Sequence, residues 1–250
     1  MNRGKLILKL AILLFTSCTS LKTYTSLDHA LNNPESVERL KITYKELHPL
    51  PSEIAQLTNL RELILFRTRL DSLPAVIGTL TSLEKLSVTS CRLHSVNYAV
   101  GQLTHLKVLR LQNNQLTSLP SSIGNLSELT ELQLDNNYID SLPHETGNLE
   151  RLRYFSINGN SLRKLPSSLG NLLELQYLFL ADNDLNSLPG DIGNLSGLIE
   201  LDVAHAGALL KIPDSICSIR NLEKLTVDAT IIIPYCLQSR ISSRFTIVLK

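Results

Sequence analysis

The chain has 250 residues, 43% of them hydrophobic but only 5% aromatic, with no Trp and a single Met. Its 24 basic and 23 acidic residues leave a formal charge of +1, which excludes a strongly basic nucleic-acid binder and an acidic disordered tail. A chain this apolar and this poor in rings must build its core from aliphatic side chains, here Leu residues at even spacing. In chain order, the first element is an address. Arg3 and Lys5 precede an apolar stretch from Leu6 to Phe15 that only Lys9 interrupts, shorter than the about 20 residues of a membrane span. Residues 1–17 therefore read as an export signal, and their removal leaves 21 basic against 23 acidic residues. No later segment stays apolar long enough to cross a bilayer.

The stretch ends in Leu14, Phe15, Thr16, Ser17 and Cys18. Small residues before a Cys resemble the lipobox of bacterial lipoproteins, with Phe15 where Leu is usual. The resemblance implies that Cys18 is diacylated and becomes the new N-terminus, anchoring the protein to a membrane of the cell envelope, periplasmic or surface-facing. Acyl chains would supply the membrane affinity, about 0.8 kcal/mol per buried CH₂. The alternatives are an ordinary cleaved signal with an incidental Cys, or a buried N-terminal helix on a cytoplasmic protein. Residues 18–25 then form a tether, and 26–49 an N-terminal cap with a degenerate first repeat. Within the cap, Ser26 precedes Leu27, Ala30 and Leu31 as the N-cap of a short helix that Pro34 stops, and Val37, Leu40 and Ile42 supply a strand.

A 23-residue period organises residues 50–233 into eight units. Leu50-Pro51, Leu73-Pro74, Val96-Asn97, Leu119-Pro120, Leu142-Pro143, Leu165-Pro166, Leu188-Pro189 and Ile212-Pro213 open them, with one step of 24 at the end. One unit runs Leu119, Pro120, Ile123, Gly124, Leu126, Leu129, Leu132, Leu134, Asn137, Ile139. Leu132 and Leu134, two apart, share one face of a short strand, and no unit can bury such a face alone; stacking buries it as a one-dimensional array. The pattern resembles the leucine-rich repeat of the Ras-suppressor-like type over residues 36–233. The resemblance implies an α/β solenoid, a right-handed horseshoe with a parallel sheet on the concave face and turns or short helices on the convex face. It also implies that one position per unit lies inside and bonds the backbone of neighbouring turns. That ladder holds Thr68, Cys91, Asn114, Asn137, Asn160, Asn183 and Thr230. Ala206 breaks it beside an extra residue, so a local distortion is expected there. Residues 234–250 form a C-terminal cap in which Phe245, Ile247 and Leu249 alternate as a closing strand.

Cys217 and Cys236 fall on adjacent convex turns, either disulfide-bonded to pin the cap or as two unpaired thiols. The chain carries no phosphate-loop, nucleophile-elbow or zinc-protease signature and no Cys/His metal spacing, so no catalytic residue, cofactor or metal is expected. His205 with Asp182, Asp202 and Asp228 could gather around a cation, although a solvated polar face is the commoner outcome for such residues.

Outward strand positions alternate with the buried Leu residues and form three columns along the concave face. Among them Tyr154, Tyr177 and Phe179 cluster on neighbouring strands, flanked by Arg110, Gln133, Asn158 and Asp202 as polar contacts; Ile64 and Phe66 make a second apolar spot. Exposed rings at the centre of a curved surface are the usual material of interface hot spots. The expected function is a monomeric, non-catalytic scaffold that binds a protein ligand on this face and no nucleic acid, with the membrane reached through lipid on Cys18. Alternatives are a structural or self-associating envelope protein or, without export, an intracellular adaptor for signalling. An appended enzymatic domain does not fit in the 17 residues after Ile233.

Overall fold

The computed structural model describes residues 21–47, 49–240 and 244–250; residues 1–17, read above as an export signal, and Cys18 lie outside them. The N-terminal end holds β1 (Thr23–Tyr24), α1 (Leu27–Leu31) and β2 (Arg39–Thr43). There follow β3 (Glu62–Phe66), β4 (Ser72–Leu73), β5 (Lys85–Thr89), β6 (Ser95–Val96), β7 (Val108–Arg110), β8 (Glu131–Gln133) and β9 (Tyr154–Ser156). The chain closes with β10 (Tyr177–Phe179), β11 (Glu200–Asp202), β12 (Lys224–Val227), α2 (Tyr235–Gln238) and β13 (Thr246–Leu249). All strands but β4 and β6, which pair with each other, form one eleven-stranded parallel sheet in chain order. Partners in register recur at the sequence period, as in Lys85 with Val108 and Val108 with Glu131. A right-handed leucine-rich solenoid results.

In the main sheet, β3, β5 and β7 to β12 each put a residue at the same register squarely into the core. Leu63, Leu86, Leu109, Leu132, Phe155, Leu178, Leu201 and Leu225 are all fully buried and make one continuous column. Opposite the sheet, each repeat Pro introduces a five-residue 3₁₀ helix, such as Ser121–Asn125 after Pro120. Pro fixes φ at an angle that suits the turn, and the Leu126 N–H closes it on the Ile123 carbonyl at 3.2 Å. These helices stack so closely that a Cβ on Gly124 would lie 2.5 Å from the Glu145 carbonyl oxygen, which is why Gly recurs there.

The ladder is present with two departures. Asn114, Asn137, Asn160 and Asn183 each accept an N–H through Oδ1, from Leu93, Leu116, Ile139 and Leu162. Their Nδ2 groups donate to carbonyls of their own and the preceding turn, for example Asn183 to Leu180 and Ile157. Cys91 reaches the equivalent carbonyl, Leu65, through its thiol, and contacts the buried Thr68 hydroxyl at 3.2 Å. Thr230, expected inside, is exposed: its hydroxyl and N–H both donate to Asp228 two residues back, in place of the bonds to the preceding turn that a ladder residue makes. At Ala206 the backbone closes in. The Leu185 N–H, which an Asn side chain would receive, turns to the Ala206 carbonyl, and Gly207 approaches so near that a Cβ there would meet the Leu185 oxygen.

Both ends differ from expectation in detail. Thr23 and Tyr24, assigned above to a tether, extend the sheet instead; Tyr24 pairs with Leu40, is buried, and bonds the Ser36 hydroxyl at 3.0 Å. Ser26 precedes α1, but its hydroxyl makes no capping bond. In β13 only Phe245, just before it, is deeply buried, while Leu249 faces solvent. Cys217 stands where earlier units carry Gly and is disulfide-bonded to Cys236, with Cα atoms 6.0 Å apart across 19 residues. Closing a loop of that length stabilises by about 3 kcal/mol. Cys236→Ser is therefore expected to loosen the C-terminal cap first: hydrogen exchange should rise at residues 235–250 while residues 119–189 keep their protection.

Candidate binding face

The outward residues of β9 and β10 build an aromatic patch. Register places Tyr154 beside Tyr177 and Ser156 beside Phe179. The Tyr154 ring lies 6.2 Å from Tyr177 and 5.4 Å from Phe179, centroid to centroid, both tilted. All three rings stay half-exposed, whereas the smaller outward residues Ser156 and Ala181 are buried in the shade of longer neighbours. The Tyr154 phenol is held above its ordinary range by burial first and by the Asp135 charge second.

Beside the patch, Phe66, Arg110, Gln133 and Asn158 line one shallow groove of about 600 Å³. Their polar groups already have neighbours. Arg110 pairs with Glu131 at 2.6 Å, and Gln133 accepts a bond from Gln112. Asn158 accepts the Ala181 N–H at 2.8 Å and donates to Ser156 at 3.1 Å. Asp202 lies apart from this groove, nearly buried, holding Lys250 at 2.7 Å and the Ala204 N–H at 3.0 Å. The second apolar spot is also engaged. Phe66 packs edge-on against Tyr44 at 5.6 Å, the Arg67 guanidinium lies over both rings, and Ile64 pairs with Ser87 one strand away. Among the described residues, no three His, Cys, Asp or Glu side chains gather around a cation position; His205 meets Asp182 only at 3.8 Å, and its N–H is held by Asp228.

One feature escapes the column reading. The residue preceding each strand alternates in sign along the first repeats, Glu38, Arg61, Glu84, Lys107, and the structure links Arg61 and Lys107 to Glu84 at 2.6 and 2.9 Å. Extending the columns one place toward the N-terminus would have found it. The Lys107 and Arg61 bonds hold the Glu84 carboxyl below its ordinary range, as Arg39 does for Glu62. A carboxylate lowered in the folded state stabilises above its unfolded value and loses that contribution as pH falls through the folded one. Thermal midpoints should thus fall on acidification below about pH 4, and Glu84→Gln should flatten that limb.

This arrangement defines a class: repeating strands that bury leucine inward and present a varied outward surface. A family profile described as "Leucine-rich repeat region" matches residues 91–172 and 163–242, and the chain belongs to the leucine-rich repeat family. A leucine-rich repeat protein of Leptospira interrogans superposes with a TM-score of 0.72 at 32% identity, covering 86% of this chain and 61% of that one. The ectodomain of the plant membrane receptor kinase GASSHO1/SCHENGEN3 from Arabidopsis thaliana, in complex with Casparian strip integrity factor 2, gives a TM-score of 0.72 at 29% identity. It covers 91% of this chain and 31% of that one. The plant peptide hormone receptor RGFR1, in complex with RGF2, gives 0.63 at 27%, covering 76% and 32%. The chain therefore spans less than two thirds of each of these proteins. No curated protein matches the sequence. The frame is one commonly used for protein binding, and among the described residues no helix is long and apolar enough to cross a membrane.

Proposed function

We propose that this protein is a non-catalytic binding scaffold that docks a protein segment on the concave sheet, with Tyr154, Tyr177 and Phe179 as its anchors. The observation that carries the reading is the ring cluster itself: three half-exposed aromatics in contact at the middle of the sheet, in a chain with 5% aromatic residues. The complexes of GASSHO1/SCHENGEN3 and RGFR1 with their ligands support it. Peptides selected from a random displayed library against the native protein test it. Tyr154→Ala with Phe179→Ala should weaken the selected peptides by roughly a hundredfold, the loss of one hot spot, while the melting temperature stays within a few degrees. Unchanged affinity would move the site elsewhere.

The proposal extends to placement. Export by residues 1–17 and acylation of Cys18 would hold the scaffold at the cell envelope as a monomer, and the Cys217–Cys236 bond suits that oxidising setting. Fatty-acid labelling of wild type against Cys18→Ala tests this: label and membrane association should both vanish with the thiol. Concentration-dependent oligomers in light scattering would instead favour a self-associating envelope protein.

A further inference from the structure

What the concave face selects follows from how its rings and charges are nested. Tyr154 and Tyr177 occupy one column, with Glu131 one strand before them and Glu200 one strand after. Phe179 has Asp202 one strand on. Neighbouring strands are about 4.8 Å apart, so these carboxylates border the rings directly. Their cations stand further out. Arg110 reaches Glu131 from β7, Lys224 reaches Glu200 from β12, and Lys250 reaches Asp202 from the end of β13. Asp135 accepts bonds from the Ser156 hydroxyl and the Asn158 N–H, and no cation of the described residues forms an ion pair with it. From the rings outward the order is aromatic, anionic, cationic. Coulomb interaction falls with distance, so the nearer carboxylates dominate the field over the rings.

Among the described residues, four other rings already carry a cation of this chain, whereas the exposed Tyr98, Tyr138 and Tyr235 stand singly, without a second ring beside them. Arg67 covers Tyr44 and Phe66 with its guanidinium 5.7 and 5.1 Å from the two centroids, Lys22 lies over Tyr24, and Arg240 over Phe245. No Lys or Arg of the described residues lies over Tyr154, Tyr177 or Phe179. A ring face is a patch of negative potential, and an alkylammonium or guanidinium placed on it gains further from flanking carboxylates.

We propose that Tyr154, Tyr177 and Phe179 form a seat for a cationic side chain, so that the segment docked on the concave face presents a lysine or arginine there. The inference rests on the docking reading above and adds the chemistry of its ligand. Small probes test it without any protein partner. The full chain is titrated with choline and, separately, with its uncharged isostere 3,3-dimethylbutan-1-ol, following the ring resonances of the three residues. Choline should bind roughly three- to thirtyfold more tightly than the alcohol. Asp135→Asn should weaken choline alone. Tyr154→Leu with Phe179→Leu keeps the apolar bulk and should abolish the preference. Equal affinities for the two probes, or rings that choline leaves unmoved, would overturn the proposal. The docking reading would still stand in either case, because its own test is whether the library-selected peptides depend on Tyr154 and Phe179.

Discussion

Asn137→Ala is expected to lower the unfolding free energy by about 3 kcal/mol, the combined cost of one buried N–H left without a bond and two buried carbonyls that each lose a donor. Asn137 is 4% exposed. Its Nδ2 donates to the Leu111 and Leu134 carbonyls at 3.0 and 2.8 Å, and its Oδ1 accepts the Leu116 N–H at 3.0 Å. The Leu111 and Leu134 carbonyls keep a second donor in the Asn114 and Asn160 amides, at 2.9 and 3.1 Å, so the Leu116 N–H is the group left unsatisfied once the amide is gone. The chain itself shows how a turn copes without Asn. At Ala206 the Leu185 N–H bonds the Ala206 backbone carbonyl, but that segment sits in the one unit with an extra residue. The repeat around Asn137 has no such slack. Urea unfolding measures the loss, and a decrease below about 0.5 kcal/mol would show that the ladder contributes nothing beyond an ordinary surface residue.

The second large effect belongs to the convex side. A Cβ on Gly147 would lie 2.3 Å from the Ser168 oxygen and 2.5 Å from its Cβ, atoms held by backbone that cannot swing aside. Gly147→Ala must push two 3₁₀ turns apart, and overpacking of this kind costs about 3 kcal/mol. Gly190 provides the internal control, since a Cβ there meets nothing within 4 Å. Gly190→Ala should be neutral or stabilise by about 0.5 kcal/mol, because only the unfolded chain loses freedom. Similar losses at both positions would mean that propensity, not close stacking, sets the need for glycine.

Much of the frame is written in the sequence because a stacked array repeats its constraints every 23 residues. Leu132, Asn137 and Gly124 each recur in neighbouring units for one physical cause, so the strand, the ladder and the close turn can be read before any coordinates. The ends repeat nothing, and there the reading weakens. Nothing in Thr23-Tyr24 signals a strand, since its pairing with Arg39-Leu40 crosses the cap helix. Thr230 leaves the ladder for local bonds to Asp228. The face was legible as a set of outward columns, which bring Tyr154, Tyr177 and Phe179 together as their spacing implies. The partnership of each polar side chain was not. Spacing places Arg110 and Asp202 outward, but only geometry shows that Glu131 and Lys250 already hold them.

Concave docking is tested most directly by site-specific photocrosslinking in cells that make the protein. Benzoylphenylalanine replaces Phe179 in the aromatic patch or, as a control, the solvent-exposed Tyr138, which lies past the strands on the flank of the stack. Covalent adducts formed from position 179 and absent from 138 are the predicted result. Adducts from 138 alone, with position 179 silent, would place recognition off the concave sheet and contradict the account.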